Sequence, residues 1–131
     1  MIESPRAVIL ADKISAVVDF ISFGTNDLTQ TTMAISRDDN AKFMSQYINK
    51  RILKVDPFVC LDFEGVSELL KIAVIKAKQG NKKIKIGVCG EHGGEPNSIS
   101  FFASLGIDYV SCSPYRVPIA RLASAQASDD S

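Results

Sequence analysis

The sequence has 131 residues, 46% of them apolar and 23% charged, a composition typical of one globular domain with a single core. Its fifteen basic and fifteen acidic side chains cancel, so the charge balance indicates neither nucleic-acid binding nor attraction to an anionic membrane. No apolar run could span a membrane, residues 1–6 do not resemble a signal peptide, and three widely spaced cysteines indicate no disulfide framework, so we expect a cytoplasmic protein.

In the first half of the chain, helices surround one short strand. Pro5 opens a helix whose apolar residues keep helical spacing up to Val18. Residues 20–23 are aromatic or β-branched around one serine and predict a buried strand. The turn residues that follow, with Asn26 and Asp27 as good N-caps, predict a helix over residues 28–34.

The middle of the chain is less regular. A polar loop over residues 36–40 precedes a second short helix, residues 41–48, and residues 54–60 are irregular. Asp62 is then expected to cap a longer amphipathic helix that ends at Gly80.

The second half repeats the alternation. Strands are predicted over residues 84–88 and 108–112, and helices over residues 97–104 and 117–125. Residues 127–131 are expected to be a frayed tail.

Alternating strands and helices predict an α/β fold with a parallel sheet. A small open doubly wound sheet and half of a (β/α)8 barrel both fit. Polar or glycine residues end each short strand, which favours the barrel because its sites collect at the carboxyl ends of strands; these residues are Glu3, Asn26, Asp27, Cys89 and Ser113. We therefore expect residues 1–131 to be one partial domain, the C-terminal half of a (β/α)8 barrel of TIM type, with parallel strands and outer helices. Because the chain begins inside a strand, we expect a piece of a larger fold.

Several polar side chains lie together in the turn after the strand at residues 84–88. It reads Cys-Gly-Glu-His-Gly-Gly-Glu-Pro over residues 89–96 and contains the chain's only histidine. A strand, a glycine-rich turn and a helix start form a typical ligand site, because glycines admit close backbone approach and a helix N-terminus favours an anion. The alternative is an ordinary tight turn between a strand and a helix.

Several motifs carry a family resemblance. Residues 23–30, Phe-Gly-Thr-Asn-Asp-Leu-Thr-Gln, resemble the signature of the phosphoenolpyruvate-utilising enzymes. Residues 87–96, residues 36–39 and the segment Asp-Tyr-Val-Ser-Cys-Ser-Pro at 108–114 resemble the dikinase branch of that family. The resemblance extends from Met1 to about Gln126.

This resemblance implies a (β/α)8 domain that binds pyruvate or phosphoenolpyruvate with Mg²⁺. It implies that Glu3 and Asp27 hold the metal and that Cys89 exchanges a proton with the substrate's methyl or methylene carbon. The implied substrate-binding residues are Gly24, Thr25, Asn26, Asp27, Gly90 and Tyr109. The phosphoryl donor would be a phosphohistidine, so the phosphohistidine and nucleotide-binding domains of a full-length enzyme are expected partners.

Each implied role has an ordinary alternative. Mg²⁺ usually takes one or two carboxylates with water and substrate oxygens, yet Glu3 could be a surface carboxylate and Asp27 a helix cap. A thiol can act on carbon if its pKa lies near neutrality, whereas buried packing is the expectation for Cys60 and Cys112. For His92 we expect an orienting or loop-shaping role.

Two features depart from a complete enzyme. Ser4 stands where the family pattern predicts an apolar residue, and the first half of the barrel, with its phosphate-binding arginines, is expected to lie outside this sequence. Two functions therefore remain open: part of a phosphotransferase site, or a non-catalytic remnant that serves as an oligomerisation or regulatory piece. In either case we expect the isolated chain to be inactive and to form a homo-oligomer.

Overall fold

The computed structural model describes residues 1–129, which form a small parallel sheet covered by helices. The strands are β1 (Phe20–Gly24), β2 (Lys85–Cys89) and β3 (Tyr109–Val110). The helices are α1 (Pro5–Ile9), α2 (Ala11–Ser15), α3 (Thr25–Met33), α4 (Met44–Asn49), α5 (Val66–Gly80), α6 (Pro96–Ser104) and α7 (Val117–Asp129). The predicted α/β class is confirmed.

The strands lie side by side in the order of the chain, β1-β2-β3, and both pairs are parallel. Ile2 extends the sheet beyond β1: its N–H donates to the Ser22 carbonyl at 2.8 Å, and its carbonyl accepts from Gly24 N–H at 3.0 Å. The N-terminal residues therefore act as a short fourth strand, as their sequence suggested. Ser4, which departs from the family pattern, caps α1 by accepting a hydrogen bond from Ala7 N–H at 3.3 Å.

The two faces of the sheet differ because side chains alternate along a strand. On one face, Ile21, Phe23, Ile86 and Val88 are buried in a core shared with the helices. Helical members of that core include Val8, Ala11, Leu28, Leu70, Ala73, Val74 and Ala77. On the other face, Phe20 and Tyr109 are 61% and 42% exposed. The helices thus cover one face and leave large apolar side chains exposed on the other.

The prediction of one continuous first helix is wrong, because the structure has two short helices there, α1 and α2. Leu10, at φ −100° and ψ 13°, separates α1 from α2, and Val17 is 82% exposed beyond the end of α2. Helical periodicity continues across the break, so no local pattern reveals it. A long-range contact lies at the other end of α2: the Ser15 hydroxyl donates to the Ala77 carbonyl at 2.8 Å and holds α2 against α5.

The helix after β1 starts three residues earlier than predicted. Thr25 begins α3, so Asn26 and Asp27 lie in its first turn and do not cap it; Gly24 occupies the N-cap position. The Thr25 hydroxyl reaches the Cys89 carbonyl at 3.0 Å, which brings the helix start directly onto the strand end. An acidic residue in the first turn is still favourable, because the helix dipole is positive there.

The other helix and strand boundaries differ less from the predicted ones. The predicted helix over residues 41–48 is a 3₁₀ turn, Asn40–Lys42, followed by α4. Gly65, not Asp62, occupies the N-cap position of α5; the Asp62 carboxylate lies in the preceding turn and accepts from Gly65 and Val66 N–H at 3.1 Å. β2 lies one residue later than predicted, so Cys89 is the last residue of the strand.

The last strand is shorter than predicted and the last helix is longer. Next to β3, the Asp108 carboxylate accepts a hydrogen bond from Ile86 N–H at 2.9 Å. This backbone N–H of β2 is therefore bonded to a side chain and not to the backbone of a neighbouring strand. α7 includes residues 127–129, which were expected to fray, and residues 130–131 lie outside the described part. No helix within residues 1–129 is long and apolar enough to cross a membrane.

Candidate active site

The predicted site residues meet at the carboxyl edge of the parallel sheet. Gly24 and Cys89, the last residues of β1 and β2, are register partners. Glu3 follows the bridging residue Ile2 on the outer side of β1, and Tyr109 lies on β3. Sequence-distant segments therefore present their strand ends side by side, which is the arrangement that barrel and open-sheet sites share.

Glu3 lies over the backbone of Gly24. A Cβ atom at Gly24 would be 2.7 Å from Glu3 Oε2 and 2.9 Å from Glu3 Cβ, so only glycine leaves room for this carboxylate. Glu3 is half-buried, and its carboxylate makes no hydrogen bond or ion pair with residues 1–129. Its oxygens are therefore available to a ligand.

Asp27 supplies a second uncommitted carboxylate. It is exposed in the first turn of α3, and within the described chain its side chain has no hydrogen bond or ion pair. Residues 1–129 contain no group of three or more His, Cys, Asp or Glu side chains arranged for a metal ion. Mg²⁺ commonly takes one or two carboxylates and its other oxygens from water and substrate, so the chemical type of both side chains suits this ion.

The Cys89 thiol faces a cavity. Its Sγ atom lies 3.5 Å from the Phe23 carbonyl and 3.5 Å from Met1 Sδ, and the residue is half-buried. The adjoining cavity has a volume of about 270 Å³ and is lined by Cys89, Gly90, Glu91, Gly94, Ser111, Cys112, Ser113 and Arg116. A small ligand in this cavity would therefore contact Cys89.

The other two cysteines differ from Cys89. Burial, followed by the nearby Glu95 carboxylate, raises the pKa of the Cys60 thiol and keeps it protonated, which agrees with a packing role. Cys112 packs against the small apolar cluster of α6 and α7, as expected, but it also lines the cavity beside Cys89.

Gly90 joins β2 to the loop that carries His92. Its φ of +111° is a conformation that favours glycine. A Cβ atom there would also lie 2.8 Å from Thr25 Oγ1 and 3.1 Å from Asn26 Oδ1. Asn26 Oδ1 in turn accepts from Glu91 N–H at 3.3 Å, so the start of α3 and this loop hold each other in place.

Thr25 and His92 form the buried base of the site. The Thr25 hydroxyl lies 3.0 Å from the Cys89 carbonyl and 2.7 Å from His92 Nδ1. His92 Nε2 lies 2.7 Å from the Pro57 carbonyl. Both side chains are fully buried. The Thr25 side chain is thus committed to protein partners, and the whole residue is buried, so it presents no exposed surface to a substrate.

His92 is held neutral by its surroundings. Burial lowers the pKa of the imidazole, against the opposing effects of the Pro57 carbonyl and of three carboxylates, Glu95, Glu91 and Asp56. The sequence shows a lone histidine in a glycine-rich turn. It does not indicate that the side chain is fully buried, yet His92 is among the largest fully buried side chains of the structure.

Arg116 borders the cavity beside Cys89, whereas Tyr109 is not among the residues that line it. Tyr109 is the register partner of Gly87, and its ring covers that glycine on the exposed face of the sheet. Arg116 lines the cavity and packs its stem against Gly94. Sequence spacing alone offers no reason to select Arg116.

Comparison with known proteins identifies the family. Residues 1–129 match the family model described as "PEP-utilising enzyme, PEP-binding domain". The chain is 61% identical over 127 residues to pyruvate, phosphate dikinase of Rhizobium meliloti (strain 1021), which covers 97% of this chain and 14% of that protein. It is 57% identical over 126 residues to pyruvate, phosphate dikinase 2 of Oryza sativa subsp. japonica, covering 96% of this chain and 14% of that protein.

A third relative, pyruvate, phosphate dikinase of Rickettsia bellii (strain RML369-C), is 58% identical over 127 residues, covering 97% of this chain and 14% of that protein. The chain therefore spans about one seventh of the length of these relatives. The match to the family model includes the Gly-Thr-Asn-Asp element, the Cys89 loop and β3. The chain belongs to the phosphoenolpyruvate-utilising enzymes, within their phosphoenolpyruvate-binding domain.

Proposed function

We propose that this chain supplies part of a Mg²⁺-dependent site that interconverts pyruvate and phosphoenolpyruvate. The observation that supports it most directly is the meeting of an accessible thiol, Cys89, with an uncommitted carboxylate, Glu3, around the paired strand ends Gly24 and Cys89. The relatives named pyruvate, phosphate dikinase point to the same chemistry.

In the direction of phosphoenolpyruvate, a C–H bond of the pyruvate methyl group breaks and the Cys89 thiolate takes the proton. The electron pair left on carbon forms the enolate, whose oxygen makes a bond to phosphorus as the phosphohistidine N–P bond breaks. In reverse, the thiol returns the proton to the methylene carbon. Mg²⁺, held by Glu3 and Asp27, would stabilise negative charge on the enolate oxygen.

The other site residues would position the substrate. Gly24 and Asn26 lie at the start of α3, where N–H groups and the helix dipole favour a carboxylate or phosphoryl group, and the fully buried Thr25 between them would support this helix start from within. Gly90 would contact the substrate beside the thiol, and Tyr109 would border it from β3.

We further propose that residues 1–131 form the C-terminal half of a (β/α)8 barrel in a cytoplasmic enzyme. The consecutive strand order and the helices on one face of the sheet support this arrangement. The remaining strands, the phosphate-binding arginines, and the phosphohistidine and nucleotide-binding domains would come from the full-length enzyme.

A chimera tests this function. The chain would replace the segment that it matches in the Rhizobium meliloti enzyme, and pyruvate-dependent formation of phosphoenolpyruvate would be measured. We expect substantial activity, because 61% identity preserves the fold. A chimera that folds and phosphorylates its carrier histidine but makes no phosphoenolpyruvate would refute the proposal.

The exposed face of the sheet also favours self-association of the isolated chain. Exposed sheet edges and apolar patches recruit partners, and Phe20 is 61% exposed there. We expect the isolated chain to form a two-fold pair without turnover, measurable by sedimentation equilibrium at micromolar concentration. Phe20→Lys should weaken the pair, whereas Val17→Lys, at a position 82% exposed after α2, should not. A compact monomer of the unmodified chain would contradict this expectation.

A further inference from the structure

Four polar groups form a continuous buried chain beneath the site. In order they are the Pro57 carbonyl, the His92 imidazole, the Thr25 hydroxyl and the Cys89 carbonyl, with separations of 2.7, 2.7 and 3.0 Å. They join three segments that are distant in sequence: the loop before α5, the loop after β2 and the start of α3.

The number of protons decides how this chain is bonded. Both ends are carbonyl oxygens, which only accept hydrogen bonds, so three contacts require three protons. A neutral imidazole and a hydroxyl provide two. The Pro57 carbonyl can be satisfied only if the His92 proton sits on Nε2, which leaves Nδ1 as an acceptor.

The Thr25 hydroxyl then has one proton and two acceptors. His92 Nδ1 is the nearer at 2.7 Å, and the Cys89 carbonyl is the farther at 3.0 Å. Donation to the carbonyl would leave two lone pairs facing each other across 2.7 Å. The geometry therefore couples the state of His92 to the hydrogen bonding of the Cys89 carbonyl through a single hydroxyl hydrogen.

That carbonyl belongs to the peptide that joins the thiol residue to Gly90. A trans peptide points its N–H opposite to its C=O, so holding the Cys89 carbonyl also sets the direction of Gly90 N–H. Gly90 adopts φ +111° and can rotate more freely than other residues. Whether the Thr25 hydroxyl donates to this carbonyl or to His92 therefore matters for the cavity that Cys89 and Gly90 line.

We propose that His92 is a positioning residue: by accepting the Thr25 hydroxyl hydrogen it keeps that hydroxyl from donating to the Cys89 carbonyl, and so sets the orientation of the peptide between Cys89 and Gly90 that aims the thiol. As a statement about catalysis, this rests on the proposed function. The placement of the protons does not, so the two can fail separately.

The first experiment observes the network directly in the isolated chain. Because His92 is the only histidine, ¹⁵N NMR gives one imidazole spin system. We expect a neutral ring with its proton on Nε2 at pH 7, and a pKa below the ordinary 6.5 because the ring is buried. We also expect the Cys89 carbonyl and Gly90 amide resonances to shift in step with that titration.

Two results would overturn the inference whether or not the chimera is active. One is a neutral ring with its proton on Nδ1; the other is Cys89 and Gly90 resonances that do not change as His92 titrates. Thr25→Val provides a second check, because it removes the shared hydroxyl but keeps the shape of the side chain. It should abolish the coupling between His92 and the Gly90 amide.

The second experiment measures kinetics in the chimera. His92→Phe keeps an aromatic ring but removes both hydrogen bonds; we expect kcat to fall about 10²-fold, as for a misplaced reacting group, with little change in the KM for pyruvate. His92→Gln should restore most of kcat, because its amide can donate to Pro57 and accept from Thr25 but cannot titrate.

Thr25→Val and His92→Phe should be non-additive: Thr25→Val should restore much of the kcat lost in His92→Phe, because without the hydroxyl nothing at Thr25 can donate to the Cys89 carbonyl. The matched control is Thr29→Val, one turn along α3: this hydroxyl is also fully buried, but its oxygen has no hydrogen-bond partner within the described chain. We expect unchanged kcat there. Additive losses, or a His92→Gln variant as impaired as His92→Phe, would show that His92 only fills space and would overturn the inference.

Discussion

Replacing Cys89 with alanine in the chimera is expected to lower phosphoenolpyruvate formation by about 10²- to 10⁴-fold, the usual contribution of a positioned acid or base. Cys89 is the last residue of β2 and lines a cavity of small-molecule size, and the proposed function makes its thiol the group that exchanges the proton. Phosphorylation of the carrier histidine by nucleotide should be unaffected, because that half-reaction takes place on another domain. The decisive measurement is exchange of the pyruvate methyl protons with solvent, followed by NMR.

Two further variants make the Cys89 test specific. Cys60→Ala removes a thiol of similar size that lies outside the cavity beside Cys89, so its proton exchange should match that of the unmodified chimera. Cys112→Ala removes a thiol from the wall of the same cavity and tests whether any cysteine there suffices. Normal methyl-proton exchange in the Cys89→Ala chimera would assign the proton transfer to another group.

Local sequence signals accounted for much of the fold. The strand at β1 and the helix at α5 followed from residue type and apolar spacing, and Asp62 does bond the first N–H of α5, although Gly65 holds the N-cap position. Such signals reflect interactions between residues close in sequence. They could not predict the break at Leu10, which accompanies a hydrogen bond between Ser15 and Ala77, 62 residues apart.

The candidate site was predictable in the same limited sense. The family resemblance and the polar strand ends selected Glu3, Thr25 and Cys89 before their positions were known, and the structure brings their segments to one edge of the sheet. The connection from His92 to Thr25 spans 67 residues, and the one from His92 to Pro57 spans 35. No local pattern encodes such contacts, so the buried network became visible only in three dimensions.

Removing either proposed metal ligand should have an effect as large as removing the thiol. A metal that acts as a Lewis acid contributes several kcal/mol, which corresponds to about 10²- to 10⁴-fold in rate. We therefore expect Glu3→Gln and Asp27→Asn each to lower phosphoenolpyruvate formation by that order in the chimera. Both changes keep the size of the side chain and remove its charge. Asp39→Asn, at a carboxylate that pairs with Lys42 in an exposed loop, is the matched control and should leave the rate unchanged.

Gly24→Ala tests the geometry of the metal site with both carboxylates intact. The added Cβ would approach Glu3 Oε2 to 2.7 Å, which a rotation of the carboxylate could relieve. It would also approach Glu3 Cβ to 2.9 Å, and that atom is fixed to a backbone already hydrogen-bonded through Ile2 to β1. Glu3 must therefore move as a whole, and Mn²⁺ affinity, read by electron paramagnetic resonance, should fall about as far as in Glu3→Gln. If Gly24→Ala bound Mn²⁺ as tightly as the unmodified chimera, Glu3 would not be a ligand, because a carboxylate displaced by the added Cβ could not hold the ion as before.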